Sequence, residues 1–300
     1  MHILRGVLLK VASTLGFTLM AACIKAVSDV VPVGESIFFR SFFALVPVFS
    51  LLAWRGELAG AFETRFFLGH ILRGSVGTMA MVTWFIAIAY LQLPEATALA
   101  FATPLILSVL AMVILREPAR AERIIAVIMG FLGILMILWP KLTVTGHPMS
   151  HAETIGAVAA LSSAFLMAFA VLAVRKLIAS EATSTIVVYF SLMTSVLSLL
   201  SLPFGWVWPT PWQALMLVMA GLLGGVSQLF LTECYRYADA TTIAPFDYSQ
   251  MIWAVIVGYM FFGEKPEPMM LLGAAIVILA GLLVIWKSAP PAQRTQAPAE

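Results

Sequence analysis

Residues Ile124-Ile-Ala-Val-Ile-Met-Gly-Phe-Leu-Gly-Ile-Leu-Met-Ile-Leu-Trp139 run without a charge, hydroxyl or amide side chain. A run of about 17–25 apolar residues spans the roughly 30 Å hydrocarbon layer as a helix. The stretch lacks the period-two alternation of a membrane barrel strand. Backbone groups in lipid have no water partner, so helices are the remaining way across.

The rest of the chain agrees. Of 300 residues 62% are hydrophobic and 11% charged, against about 25% charged in a soluble domain. So few charges cannot cover a water-soluble surface of this size. The net charge of +2 comes from scattered basic residues, which gives nucleic acid no continuous patch to bind. Cys23 and Cys234 lie in apolar stretches and read as small core residues. The start of the chain shows no small-residue cleavage site, so its first apolar segment is expected to be retained.

Ten spans are predicted: 6–27, 33–54, 74–91, 96–115, 123–139, 155–174, 184–204, 212–235, 242–262 and 269–286. They group as a first five-helix unit over 1–141, a linker loop over 142–154, a second five-helix unit over 155–287 and a disordered tail over 288–300, rich in Pro, Ala and Gln. Of the 17 Lys and Arg, 13 fall on the loops and span ends of one face, among them Arg5, Arg55, Arg73, Arg116 and Arg236. Three (Lys25, Lys141 and Lys265) fall on the other, and Arg40 lies within a span. Positive charge stays on the cytoplasmic side, so both termini are expected there and the His147 loop outside.

Shifting the chain by 147 residues aligns Tyr90 with Tyr237, Glu117 with Glu264 and Trp139 with Trp286. Both stretches hold a proline-bearing helix (Pro104, Pro245) and a glutamate-bearing turn. Five spans per half is odd, so the second half enters the membrane inverted. Inverted repeats recur in secondary transporters, although a bare duplication would leave the same trace.

The first half reads Ala87-Ile-Ala-Tyr-Leu-Gln-Leu-Pro-Glu-Ala-Thr-Ala-Leu-Ala-Phe-Ala-Thr-Pro104 and then Arg116-Glu117-Pro118. The second reads Tyr237-Ala-Asp-Ala-Thr-Thr-Ile-Ala-Pro-Phe-Asp-Tyr248 and then Gly263-Glu264-Lys265-Pro266. These twin signatures resemble the EamA family of the drug/metabolite transporter superfamily, and most resemble its bacterial aromatic amino acid exporters. Arg116 stands where that family usually has glycine. The resemblance implies a ten-helix inverted-repeat carrier of the bacterial inner membrane, often an exporter of amino acids or other metabolites.

Arg40, inside the second span, costs about 2.5–3.5 kcal/mol at mid-bilayer on insertion scales. It reads as an anchor for a substrate carboxylate, as half of a structural ion pair with Glu95 the candidate partner, or as an arginine that snorkels outward. Pro104 and Pro245 remove backbone donors and are expected to kink their helices. On a regular helix Phe246, Ser249, Gln250 and Trp253 would share a face, flanked by Asp247 and Tyr248. Trp84 and Phe101 would oppose them, so the third, fourth, eighth and ninth spans are expected to enclose a substrate site with stacking surfaces and orienting polar groups. Asp247 and Glu233 are candidates for proton coupling or, alternatively, for pairing with Arg236. His147 and His151 are four apart, but Pro148 and the lack of a third ligand argue against a metal. No cofactor is expected. Gly221-Leu-Leu-Gly-Gly225 permits close helix packing and lacks the Gly-Lys-Ser/Thr of a phosphate loop.

An enzyme would need clustered His, Asp or Glu at one face, and the charges here are single and scattered. The expectation is therefore a secondary transporter exporting amino acids, aromatic or broadly neutral, or similar small metabolites by alternating access. A vitamin, nucleobase or cationic drug is the alternative cargo. The expected partners are that small solute and the lipid bilayer; the sequence sets no oligomeric state, and a monomer is compatible with it.

Overall fold

The structure, a computed structural model, describes residues 2–114, 121–142, 150–178, 181–234, 236–237 and 240–288. The Arg116-Glu117-Pro118 turn, the His147 loop and the expected tail beyond residue 288 lie outside these. The described residues form helices and short connections, with no strand.

The first half holds α1 (His2–Lys25), α2 (Val33–Arg55), α3 (Phe67–Tyr90), α4 (Leu93–Ala100), α5 (Ala102–Ile114) and α6 (Ala121–Leu142). The second holds α7 (His151–Ile178), α8 (Thr183–Leu199), α9 (Pro211–Cys234), α10 (Ala240–Ile243), α11 (Ser249–Phe262) and α12 (Pro268–Ser288). Helices α4 and α5 form one span broken at Phe101, and α10 and α11 flank a 3-10 turn over Ala244–Tyr248. Counting each broken span once leaves ten helical segments. Six of them are long and apolar enough to cross a membrane, and 124–139, 184–199 and 268–283 are shorter apolar helices.

Two expectations change. Helix α3 starts at Phe67, seven residues before the expected Gly74, so Arg73 lies within the helix and not at its end. Phe67-Leu-Gly-His-Ile-Leu is apolar enough to continue the span, and the guanidinium lies over the Phe190 ring, 4.2 Å from its centroid. A cation over an aromatic face is stabilised by the ring quadrupole, which offsets part of its cost in the span. The second change is in the ninth span. Pro245 has no amide proton and its ring blocks a regular turn, so Ala244–Tyr248 tightens into a 3-10 turn before α11 begins at Ser249. Phe246 therefore lies in that turn, ahead of α11, which carries Ser249, Gln250 and Trp253.

Packing between the halves maps onto itself when they are exchanged. Helix α1 packs on α9 as α7 packs on α3, α2 on α9 as α8 on α3, and α1 on α11 as α7 on α4 and α5. Contacts α2–α8, α4–α11 and α6–α12 are their own counterparts. Side chains repeat the relation: Ser13 Oγ on α1 donates to the Ser227 carbonyl, 2.8 Å away, and Ser163 Oγ on α7 donates to the Ala80 carbonyl, 2.8 Å away. Ala80 and Ser227 are 147 residues apart. Helices α6 and α12 touch at Gly133 and Gly273; a Cβ on either would stand 2.8 or 2.7 Å from the other's carbonyl oxygen. Small residues allow such backbone approach in membranes, where dispersion forces and weak polar contacts hold helices together.

The other side of α6 is bare. Phe131, Leu132 and Trp139 are all more than half exposed, as an apolar face against lipid tails should be.

Candidate functional site

A cleft runs between α2, α3, α8 and α9, two helices from each half. Its inner cavity, about 120 Å³, is walled by Arg40 and Ala44 of α2, Arg73 of α3, Phe190 and Ser191 of α8, and Gly224 and Gln228 of α9. An outer cavity of about 350 Å³ shares Val48 and Val187 with it and reaches Arg55, Glu57, Glu233 and Arg236 at the arginine-rich face.

Glycines in both halves make room for the inner cavity's charged groups. Gly77 and Gly224, 147 apart, occupy corresponding places on α3 and α9. A Cβ on Gly77 would lie 2.7 Å from the Phe190 ring and collide with the Arg73 guanidinium. One on Gly224 would lie 2.9 Å from Met20 Sδ and 3.3 Å from Arg40 Nε. The bare backbone is the floor on which each guanidinium lies.

Arg40 is buried, 7% exposed, and its Nε donates to Met20 Sδ at 3.5 Å. Thioether sulfur is a weak acceptor. Arg73 Nε and Nη1 are buried with no hydrogen-bond partner. Among the described residues neither arginine has an ion pair, and Glu95, the expected partner of Arg40, makes no salt bridge with it. Buried donors without acceptors are uncommon, and two guanidinium groups sharing a cavity favour an anion there.

At the mouth Glu233 bridges Arg55 and Arg236, each 3.3 Å away. The pairing with Arg236 is the structural alternative raised for Glu233. Asp247 pairs instead with Lys10, 2.6 Å away on α1. Beside the mouth Glu181 joins the 64–66 segment to α8. Burial alone would push its carboxyl up, but amide protons of Arg65 and Phe66, the Thr64 hydroxyl and nearby His70 together hold it below the usual carboxylate range. The opposite face has a counterpart: Glu35 at the start of α2 accepts from the Val207 amide at 3.0 Å. Lys25 pairs there with Glu264 at 3.1 Å, and Glu264 also accepts from the Leu93 amide at the start of α4.

Of the expected substrate-binding residues, Arg40 alone lines the cleft. Phe101 and Tyr248 meet edge to face with centroids 5.0 Å apart. Ser249 Oγ is 2.8 Å from Thr14 Oγ1. Trp84 is half-buried against the main apolar cluster, and the Trp253 indole nitrogen is buried without a partner. Phe246 and Gln250 are half-buried beside them. Pro104 stands in the first turn after the Phe101 break, and Pro245 in the 3-10 turn. Sequence reasoning missed Arg73, because it was placed at a span end. Its spacing to Gly77, matched by Gly224 at the 147-residue shift, was the available signal. Among the described residues no group of three or more His, Cys, Asp or Glu is placed to hold a metal.

The EamA-like transporter family model matches residues 4–139 and again 154–286. The S-adenosylmethionine uptake transporter of Rickettsia bellii is 27% identical over 84% of this chain and 83% of its own length. The pseudopaline exporter of Pseudomonas aeruginosa is 29% identical over 92% and 94%. A solved crystal structure, 18% identical, superposes with a TM-score of 0.64 over 93% of this chain and 95% of that one, which shows a shared fold. Helical bundles of this kind span the inner membrane, whereas outer-membrane crossings are closed barrels. This chain belongs to the EamA-like transporter family and is a multi-pass carrier of small molecules in the cell inner membrane, not an enzyme.

Proposed function

We propose that this protein is a secondary transporter that exports amino acids or closely related metabolites by alternating access, with the cleft between α2, α3, α8 and α9 as its path. The observation that carries the reading is the pair Arg40 and Arg73 in one cavity, neither ion-paired among the described residues. A carboxylate suits a guanidinium bidentately. The positive-inside rule puts the arginine-rich mouth in the cytoplasm. The cleft then stands open inward, ready to load cargo from the cell.

An aromatic or neutral amino acid was the expectation from the rings around Trp84, Phe101, Tyr248 and Trp253. They lie outside the cleft lining, where Phe190 is the aromatic wall of the inner cavity. Asp247, held by Lys10, is the candidate for proton coupling. A relative named for S-adenosylmethionine uptake supports cargo with an amino acid head, and one named for pseudopaline export supports outward transport. Proteoliposomes should accumulate or exchange a labelled amino acid without ATP, and Arg40→Gln should cut the rate at least tenfold with the folded yield unchanged. Wild-type rates in Arg40→Gln would remove the cleft as the path.

A further inference from the structure

We propose that the cargo of this cleft is a small organic dianion, an acidic amino acid or a short dicarboxylate, held between Arg40 and Arg73. The proposal rests on the cleft being the transport path.

The inner cavity is cationic. Among the described residues its lining contains two arginines and neither Asp nor Glu. Guanidinium keeps its proton at any physiological pH, so the site cannot neutralise itself by titration. Burying two like charges is costly unless each is compensated. One cargo carboxylate answers one guanidinium and leaves the other, with its buried Nε and Nη1 donors, unmet. A second carboxylate on the same molecule answers both.

The fold does not require these charges. At the 147-residue shift Arg40 corresponds to Val187 and Arg73 to Ala220, and Val187 lines the same cavity. The second half of the repeat thus packs with apolar residues at both places where the first half carries arginines. Packing gives Arg73 the Phe190 ring and Arg40 the Met20 sulfur, neither of them an anion, and a ligand supplies the missing negative charge.

An ammonium group on the cargo needs an acceptor, and the described inner lining offers Ser191, Gln228 and backbone carbonyls. Glu57 and Glu233 stand farther out, in the outer cavity. A cargo amine is accommodated there, with the acidic groups pointing inward. Size agrees: an apolar cavity of about 150 Å³ takes benzene, so about 120 Å³ takes a short acidic head while the outer 350 Å³ holds any remaining body.

Isosteric pairs test this, because glutamate and glutamine, or succinate and succinamate, differ by one charge at nearly constant shape. Equilibrium binding and proteoliposome counterflow with these four labelled compounds, phenylalanine and chloride are measured on the purified full chain. Wild type should bind each dianion at least tenfold more tightly than its monoamide. Arg73→Gln should bring the dianion to the level of the monoamide and leave the monoamide within twofold. Arg73→Lys, which keeps the charge without the fork, should fall between. Melting temperature and size-exclusion profile establish that each variant is folded; if Arg73→Gln is not, Arg73→Lys and Arg40→Gln carry the comparison.

Monoamide or phenylalanine binding as tight as the dianion's, and lost in Arg40→Gln, overturns the cargo class while the cleft reading stands. Dianion binding indifferent to both arginine positions overturns the cleft reading and with it the proposed contacts. No binding by any dianion, or chloride competing at equal concentration, overturns the proposal outright.

Discussion

Phe101 and Tyr248, 147 residues apart and corresponding in the two halves, pack on each other edge to face with centroids 5.0 Å apart at 68°. Each stands at a break: Phe101 between α4 and α5, Tyr248 at the end of the 3-10 turn before α11. A residue touching its own counterpart must lie near the axis that exchanges the halves. The two interrupted helices therefore meet on that axis.

This contact should be structural, and its two members should respond differently. Phe101→Ala removes a buried ring and is expected to cost about 3–5 kcal/mol. The Tyr248 hydroxyl is buried without a hydrogen-bond partner, so Tyr248→Phe relieves a desolvated group and should leave stability equal or slightly higher. Thermal unfolding in detergent separates the two. A marked loss of melting temperature in Tyr248→Phe would reveal a partner for that hydroxyl.

Neighbouring glycines on α9 should differ as well. A Cβ at Gly225 would stand 2.6 Å from the Ala44 carbonyl oxygen and 3.0 Å from its Cα, both backbone atoms that cannot swing away. At Gly224 it would meet the ends of two long side chains, Met20 and Arg40. Gly225→Ala should destabilise by about 1–3 kcal/mol, as over-packing does. Gly224→Ala should cost less stability but displace the Arg40 guanidinium and slow transport. Equal stability losses, with transport unchanged in Gly224→Ala, would contradict this assignment.

The Glu181 carboxyl makes stability depend on acid. Its folded value is depressed below the ordinary 4.5. Its contribution is then fully present above about 4.5 and lost as pH falls through the lower folded value. Wild type should lose melting temperature below that pH, and Glu181→Gln should start lower and lack this part of the slope. Parallel pH curves for the two proteins would show that the carboxylate is not responsible.

Orientation has its own test. With Cys23 and Cys234 replaced, a cysteine at position 148 should react with an impermeant maleimide added outside intact cells. One at position 292 should react only after lysis. Labelling of 292 from outside would invert the assignment and turn the cleft mouth outward.

Much of this architecture is local information. A run such as Ile124–Trp139 is a membrane helix because backbone groups in lipid must pair within their own segment, and that demand needs no knowledge of the rest of the chain. The 147-residue register is likewise legible, and Gly77 with Gly224 extends it beyond the stretch from Tyr90 where it first shows. Pro104 and Pro245 mark where helices are interrupted, since a missing donor is a property of the residue itself.

Charge partnership was decided by the tertiary structure. Lys10 and Asp247 lie 237 residues apart in sequence and 2.6 Å apart in the fold, while Arg40 has no carboxylate partner among the described residues although Glu95 was the expected one. Which face a residue turns inward depends on the helix's rotation. A single 3-10 turn at Ala244–Tyr248 advances the chain about 120° per residue in place of about 100°, which changes how α11 is rotated relative to the residues before the turn. The sequence by itself determined the spans and the repeat, because apolar length and backbone pairing act within one helix. The two-arginine cleft arose only when α2, α3, α8 and α9 packed, because a cavity is a property of the space between helices.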